Sequence, residues 1–336
     1  MRINILKFLS RWSLRFHALW SQGHVGFFGL AKESSWGTAV AASDYAELMS
    51  ENLTTTVDRF ATRNIFSGYY EPDDYAGARR TAGGIVLAGF PAPLGHLLKA
   101  AFNSISQSVV LSGYLWTNNY SSVKSEFADG VPRQPYTLEV FRDVTSSHRY
   151  AGALLNKLTL ALAPNQDLRV SAEWIAKART LLSKSTPTFP GSPVDPFTFD
   201  TASIQLAGAA SSRFEAFTLS VDNQLEGILA LNNSNEIARI RATNPQMIRI
   251  SGTLDFADVA EQEDFINQTE RAMKLNLTRA QSFNLLIDVP RFVYTAHAAN
   301  MSGRGRVTAT FEGMARYLTS SLTAIGIGLT TTKSNY

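Results

Sequence analysis

One arrangement of elements occurs twice in this chain, and that repetition limits its possible folds more than any single motif does. Residues 53–60 alternate as a strand, residues 61–81 are a polar loop, residues 84–89 form a second strand, and residues 91–102 read as a short helix. About one half-chain later the same order runs through a strand at 217–225, a polar loop at 226–246, a strand at 247–254 and a helix over 258–268. Val57-Asp58 is answered by Val221-Asp222 and Phe90 by Phe256, at separations of 164 and 166 residues. Downstream, residues 169–174 (RVSAEW) are answered by residues 306–311 (RVTATF) at the shorter separation of 137, which predicts an insertion in the first copy between its helix and its last strand. Repeats of this kind define the unit of folding. The expected organisation is an N-terminal arm (1–25), a first module (26–182), a Pro-rich linker (183–198), a second module (199–330) and a C-terminal tail (331–336).

Strand candidates are short and numerous: residues 136–141, 157–162, 168–174, 214–221, 247–254, 283–289, 291–297 and 306–313. Several alternate with period two, as in Ile248, Ile250 and Leu254 against Arg249, Ser251 and Thr253, the pattern of antiparallel sheets with one wet face. Each half has one marked helix, with Leu94, Leu97 and Leu98 on the face of the first and Val259, Phe265 and Ile266 on the second, where Asp258 is the expected N-cap. The predicted class is mostly β (α+β), with two tandem β-sandwich modules, each flanked by one helix and carrying one long loop. Pro187, Pro190, Pro193 and Pro196 end both helix and central strand, so a stiff, extended linker is expected between the halves. A hydrophobic fraction of 45% supports a core, and the chain has no cysteine, which excludes disulfides and thiolate chemistry. No segment reaches the roughly eighteen uninterrupted apolar residues of a membrane helix, so the chain reads as soluble or part of an assembly. At the N-terminus, Lys7, Arg11 and Arg15 recur every four residues among apolar ones. An arm outside the fold is the expected use, with a surface helix at a membrane and a secretory signal as alternatives.

Catalytic constellations are thin. His17, His24, His96, His148 and His297 are scattered without metal-ligand spacing, and neither Gly83-Gly84 nor residues 302–306 forms a phosphate loop, so tight turns into the following strands are expected there. Glu261, Glu263 and Asp264 read as a solvated or intersubunit helix face. The two polar loops carry more information. The first holds Tyr69, Tyr70, Glu71, Asp73, Asp74, Tyr75, Arg79 and Arg80, and the second Asn232, Asn233, Asn235, Glu236, Arg239 and Arg241. Tyrosine and arginine are the residue types of interface hot spots, and loops this long serve interactions. They are the expected inter-ring or inter-subunit contacts. No enzyme activity, cofactor or metal is expected.

Residues 26–40 (GFFGLAKESSWGTAV), followed by Ser50, Glu51, Asn52 and Leu53, resemble the N-terminal signature of phage tail tube proteins, and the order of later elements fits that family over about residues 26–330. The resemblance implies a structural virion protein whose rings stack into a hollow tail tube for DNA and the tape-measure protein, assembled in the host cytoplasm, with itself as main partner and possible contacts to sheath or terminator proteins. It implies no membrane and no specific DNA binding, in keeping with a net charge of only +3. The resemblance implies that rings of single-domain subunits are hexameric, so a duplicated chain is expected to form a trimer with pseudo-sixfold symmetry, the alternative being a hexamer in which one half lines the lumen and the other decorates the outside. The alternative reading is a carbohydrate or host-surface binding β module of a virion.

Overall fold

The computed structural model describes residues 23–61, 73–102, 104–111, 115–122, 133–142, 145–189, 195–279, 283–299, 301, 304–320, 323–334 and 336. The arm at residues 1–22 and part of the Pro-rich stretch lie outside them. The first half contains β1 (Phe27–Lys32), β2 (Asp44–Ala46), β3 (Ser50–Glu51), β4 (Thr54–Ala61), β5 (Asp74–Ala88), helix α1 (Pro91–Phe102), β6 (Ser104–Leu111), β7 (Leu115–Ser121), β8 (Tyr136–Phe141), β9 (Ser146–Leu162), β10 (Arg169–Ala176) and β11 (Ala178–Ser183). The second half contains β12 (Ala202–Leu206), β13 (Ala209–Ser211), β14 (Phe214–Asp222), β15 (Leu225–Ile228), β16 (Arg239–Ala242), β17 (Met247–Asp255), helix α2 (Ala260–Ile266), β18 (Arg271–Arg279), β19 (Phe283–Ala299), β20 (Thr308–Ala315) and β21 (Gly326–Thr331).

Seven antiparallel pairings recur in matching order. Strands β1 with β2 and β8 correspond to β12 with β13 and β18. Strand β9 with β8, β10 and β11 corresponds to β19 with β18, β20 and β21, and β5 with β4 and β10 corresponds to β17 with β14 and β20. The hairpin β6–β7 has no counterpart. It fills the insertion predicted between the first helix and the last strand, and β7 continues onto β21.

Both 17-residue strands cross between two layers. The N-terminal half of β9 pairs with β8 and β11 in an outer sheet, and its C-terminal half pairs with β10 and β14 in an inner one. The register slips between Leu155 and Lys157, so Asn156 bulges there. Its backbone carbonyl accepts from Asn223 N–H and its side-chain oxygen from Leu225 N–H, both at 2.7 Å. Two strands were expected at residues 283–297, but β19 runs through Pro290 unbroken. Proline has no N–H to give, and it sits where β19 has left β21 (last pair Asp288 with Gly326) and has not yet joined β20 (first pair Phe292 with Ala315).

The inner sheet therefore runs β4–β5–β10–β9–β14–β17–β20–β19 across both halves, joined by β9 and β14 from Leu162 opposite Phe217 to Lys157 opposite Asp222. A continuous core fills the space beneath the outer sheets, with Tyr136, Trp174, Leu219, Ile250 and Phe311 in it, and Phe27, Tyr45 and Phe141 form a small separate cluster. Helix α1 matches its predicted span, starting at Pro91, whose missing N–H costs nothing in the first turn. Leu94, Leu97 and Leu98 are buried as expected. At two ends of the expected modules the chain is held against the core. Phe197 of the Pro-rich stretch is fully buried, donating to Gly89 and accepting from Leu168, and Tyr336 of the expected tail is buried against α1.

The sequence signature is explained by what Glu33 holds. This carboxyl, 2% exposed, accepts from Thr137 Oγ1 (2.6 Å) on β8, Gly152 N–H (2.8 Å) on β9 and Gly37 N–H (2.8 Å). Gly152 has φ +64°, a conformation that favours glycine, and its carbonyl accepts from the Trp36 indole at 3.0 Å. The second part of the signature also anchors strands. Arg142 forms a bidentate pair with Glu51, and the Leu53 carbonyl accepts from the Tyr150 hydroxyl at 2.9 Å. Gly83 and Gly84 lie within β5 rather than in a turn. A Cβ at Gly83, where φ is +150°, would come within 2.5 Å of the Asn52 carbonyl oxygen, so the pair lets residues 52–53 cross closely.

Removing the Glu33 acceptor strands three donors, two of them on backbone that cannot move away. Glu33→Ala is expected to lower stability by about 3 kcal/mol, at roughly 1 kcal/mol or more for each unpaired group, and Glu33→Gln by less, because the amide oxygen still accepts. Urea denaturation followed by tryptophan fluorescence measures both; an unchanged midpoint for Glu33→Ala would refute the assignment.

Candidate assembly surface

Among the described residues, both ends of the inner sheet are unpaired: β4 bonds to β5 on one side, and β19 beyond Tyr294 bonds to β20. Unpaired edges expose rows of N–H and C=O groups that template further strand pairing. The distal part of the β4–β5 hairpin is exposed on both faces. Phe60, 58% exposed, stacks obliquely on Tyr75 at 5.8 Å, and Val57 is open as well.

Among the described residues, both polar loops include paired strands. In the first, Asp74, Tyr75, Arg79 and Arg80 belong to β5, where Asp74 pairs with Arg59 at 2.6 Å and Arg80 with Asp58 at 3.2 Å. Asp73 precedes the strand and is exposed, and Tyr69, Tyr70 and Glu71 lie outside the described residues. The second loop has its own two-stranded sheet, β15–β16, which holds Arg239 and Arg241, with Asn232, Asn233, Asn235 and Glu236 at its tip. Alternation at 225–228 and 239–242 is visible in the sequence, but each run is only four residues long and polar residues dominate between them. The structure brings the two regions together: Arg79 N–H donates to the Asn235 carbonyl at 2.6 Å. That contact joins residues 156 positions apart, and no local pattern predicts it.

The free face of the inner sheet is read directly from the register. Opposed across it run Glu173, Lys157, Asp222 and Met247, then Ser171, Thr159, Ser220, Arg249 and Met314, then Arg169, Ala161, Thr218, Ser251 and Glu312. With Asp255 beside Thr308 and met by Arg306 at 3.7 Å, four acids stand with four bases, and hydroxyls fill much of the rest. Opposite charges stand side by side, so the face is close to neutral.

Helix α2 departs furthest from expectation. It spans Ala260–Ile266, shorter than residues 258–268, and Asp258 lies one residue before the N-cap Val259, its carboxylate accepting from Ala260 N–H at 2.8 Å. Its polarity is inverted. Glu261 and Asp264 are buried, and only Glu263 of the acidic cluster is solvated. Arg213 grips Glu261 with two bonds of 2.8 and 3.0 Å, and Arg271 grips Asp264 at 2.7 and 2.8 Å. Val259 and Ile266, read as the inward stripe, are 57% and 60% exposed, and Phe265 is partly buried against the core. Bidentate arginine pairs satisfy buried carboxylates well enough to override the apolar pattern.

A cluster of titratable side chains joins the C-terminal residues to β2 and α1. Lys333 donates to Asp44 and lies 3.0 Å from His96 Nε2, whose other ring nitrogen has no partner. Burial, reinforced by Lys333, lowers the His96 pKa despite Asp44, so the imidazole is held neutral. Burial alone would raise Asp44, but hydrogen bonds from His96 and Lys333 outweigh it and hold the carboxyl far below its usual range. No reacting group is poised here. Among the described residues, no cluster of three His, Asp or Glu side chains could hold a metal ion.

A family model described as phage tail tube protein matches residues 23–315. No curated protein matches the chain.

Proposed function

The chain belongs to the phage tail tube protein family, and from that premise we propose that three copies join edge to edge into a ring, and that the rings stack into the conduit through which DNA and the tape-measure protein pass. As a member of the family it is a structural component of the virion tail and assembles into a tube. The carrying observation is the pairing of β9 with β14, which merges the two halves into one sheet. In the repeat, β19 corresponds to β9 and β4 to β14, and these are the two unpaired edges. The same pairing made between chains, β19 of one to β4 of the next, is head to tail and closes a ring. Closure also removes the exposed edges.

Eight strands per chain set the size. At about 4.8 Å per strand, three chains give a barrel roughly 37 Å across before strand tilt widens it, and six chains one about twice as wide. The outer sheets and helices all lie on one side of the inner sheet and need the greater circumference, so its free face lines the lumen. A near-neutral, hydroxyl-bearing lumen suits transit, because each phosphate neutralised by the wall would add affinity that passage must break. The exposed β4–β5 and β15–β16 hairpins, with Phe60 and Tyr75 uncovered, support contacts to the neighbouring ring or subunit.

Native mass measurement of one ring is expected to give three chains of 36.8 kDa; six would refute the trimer and leave the family assignment standing. Deleting residues 70–78 should leave a folded, soluble chain that forms no tubes, and tubes of normal stability from this variant would show that the first hairpin is not a contact. Assembled tubes should bind duplex DNA weakly and without sequence preference. Nanomolar affinity for one sequence at physiological salt, in a fluorescence-anisotropy titration, contradicts the neutral-lumen reading.

A further inference from the structure

The two helices hold matching places, each following the inner strand next to the hairpin and each packed on the long strand of its own half, α1 on β9 and α2 on β19. They are covered differently. α1 also lies against β7 and β21, and ten of its twelve residues are buried. The second-half strand β21 thus covers a first-half helix. Among the described residues α2 has no such cover, and Val259 and Ile266 are exposed.

The counterpart of β21 is β11, since each pairs with the N-terminal half of its long strand. β21 is flanked by β7 on its other side, whereas among the described residues β11 has β9 as its one strand partner. Its free edge carries Leu181, 59% exposed, and two residues earlier, on the same strand face, the exposed Arg179. On α2, Val259, Glu263 and Ile266 are spaced four and three residues apart and share one face. Glu263 is the one acid of that helix not drawn inward to an arginine.

We propose that, in the assembled ring, α2 packs its Val259, Glu263 and Ile266 face onto the β11 edge of the next copy, Ile266 and Val259 against Leu181 and Glu263 beside Arg179. This rests on the head-to-tail ring proposed above. It repeats between chains the relation that α1 and β21 already have within one, and both apolar and charged partners match. It also accounts for the inverted helix: the acids are satisfied inside the chain so that the apolar residues are free for a neighbour.

The chain has no cysteine, so a Leu181→Cys/Ile266→Cys double variant reports this contact without background. Treated with a short bis-maleimide after assembly, it should give covalent dimers and trimers on a denaturing gel, while each single variant stays monomeric. Ile266→Asp alters a residue that is solvent-exposed in the single chain, so it should keep the wild-type melting temperature and lose tube formation. Tubes of the double variant that yield only monomers, or Ile266→Asp tubes at wild-type yield, overturn the proposal. Wild-type rings accompanying either result would leave the ring reading intact; a wild-type chain that forms no rings sinks both.

Discussion

Four strands hydrogen-bond to β9, and the rest of the molecule depends on that one element being shared. A strand that belongs to two layers must bend between them without exposing its backbone. Here the bend is made at Asn156, where the extra residue is released from the ladder and its own polar atoms bind Asn223 and Leu225. Above the bend, Glu33 ties Gly152 to β8 and to the turn at Gly37; below it, the ladder to β14 carries the sheet into the second half. The signature around residues 31–37 is therefore a fold determinant. Its carboxyl fixes the crossing strand from which both the outer and the inner sheet are built.

Carboxyls that are buried (Glu261, Asp264) or half-buried (Glu51) recur as fasteners elsewhere. Glu51 with Arg142, Glu261 with Arg213 and Asp264 with Arg271 each use the planar two-point fit of guanidinium to carboxylate. Such pairs gain little net stability over apolar packing, but breaking one leaves an unpaired buried charge, so they enforce a single arrangement. In α2 this has a structural consequence. With its acids turned inward, the helix presents Val259 and Ile266 outward, which an isolated soluble module would avoid.

The two halves are alike in topology yet are finished differently. The first half has the β6–β7 hairpin and the C-terminal residues around its helix, with Lys333, Asp44, His96 and Tyr336 forming a clamp that a neutral imidazole completes. The second half has an open helix and an open β19 edge. A duplicated chain can seal one junction internally and leave the other for its neighbours, which halves the number of surfaces that must find partners during assembly.

The order of elements was legible in the sequence because it rests on local periodicity: the α1 span, the positions of β8, β10, β14 and β17, and the insertion in the first copy all follow from apolar spacing and the internal repeat. The family signature was legible too, but not its purpose, since Glu33 meets Thr137 and Gly152 only after more than a hundred residues of chain have folded. Pattern misled where a distant partner overrides local preference. Pro290 stays inside a strand because the ladder changes partner there, and α2 turns inside out because Arg213 and Arg271 arrive from other strands to meet its acids. Which edges remain open, which face of the sheet is free and which apolar residues are left uncovered are properties of the assembled layers. Periodicity determines what a segment becomes; only tertiary contacts decide what it is left facing.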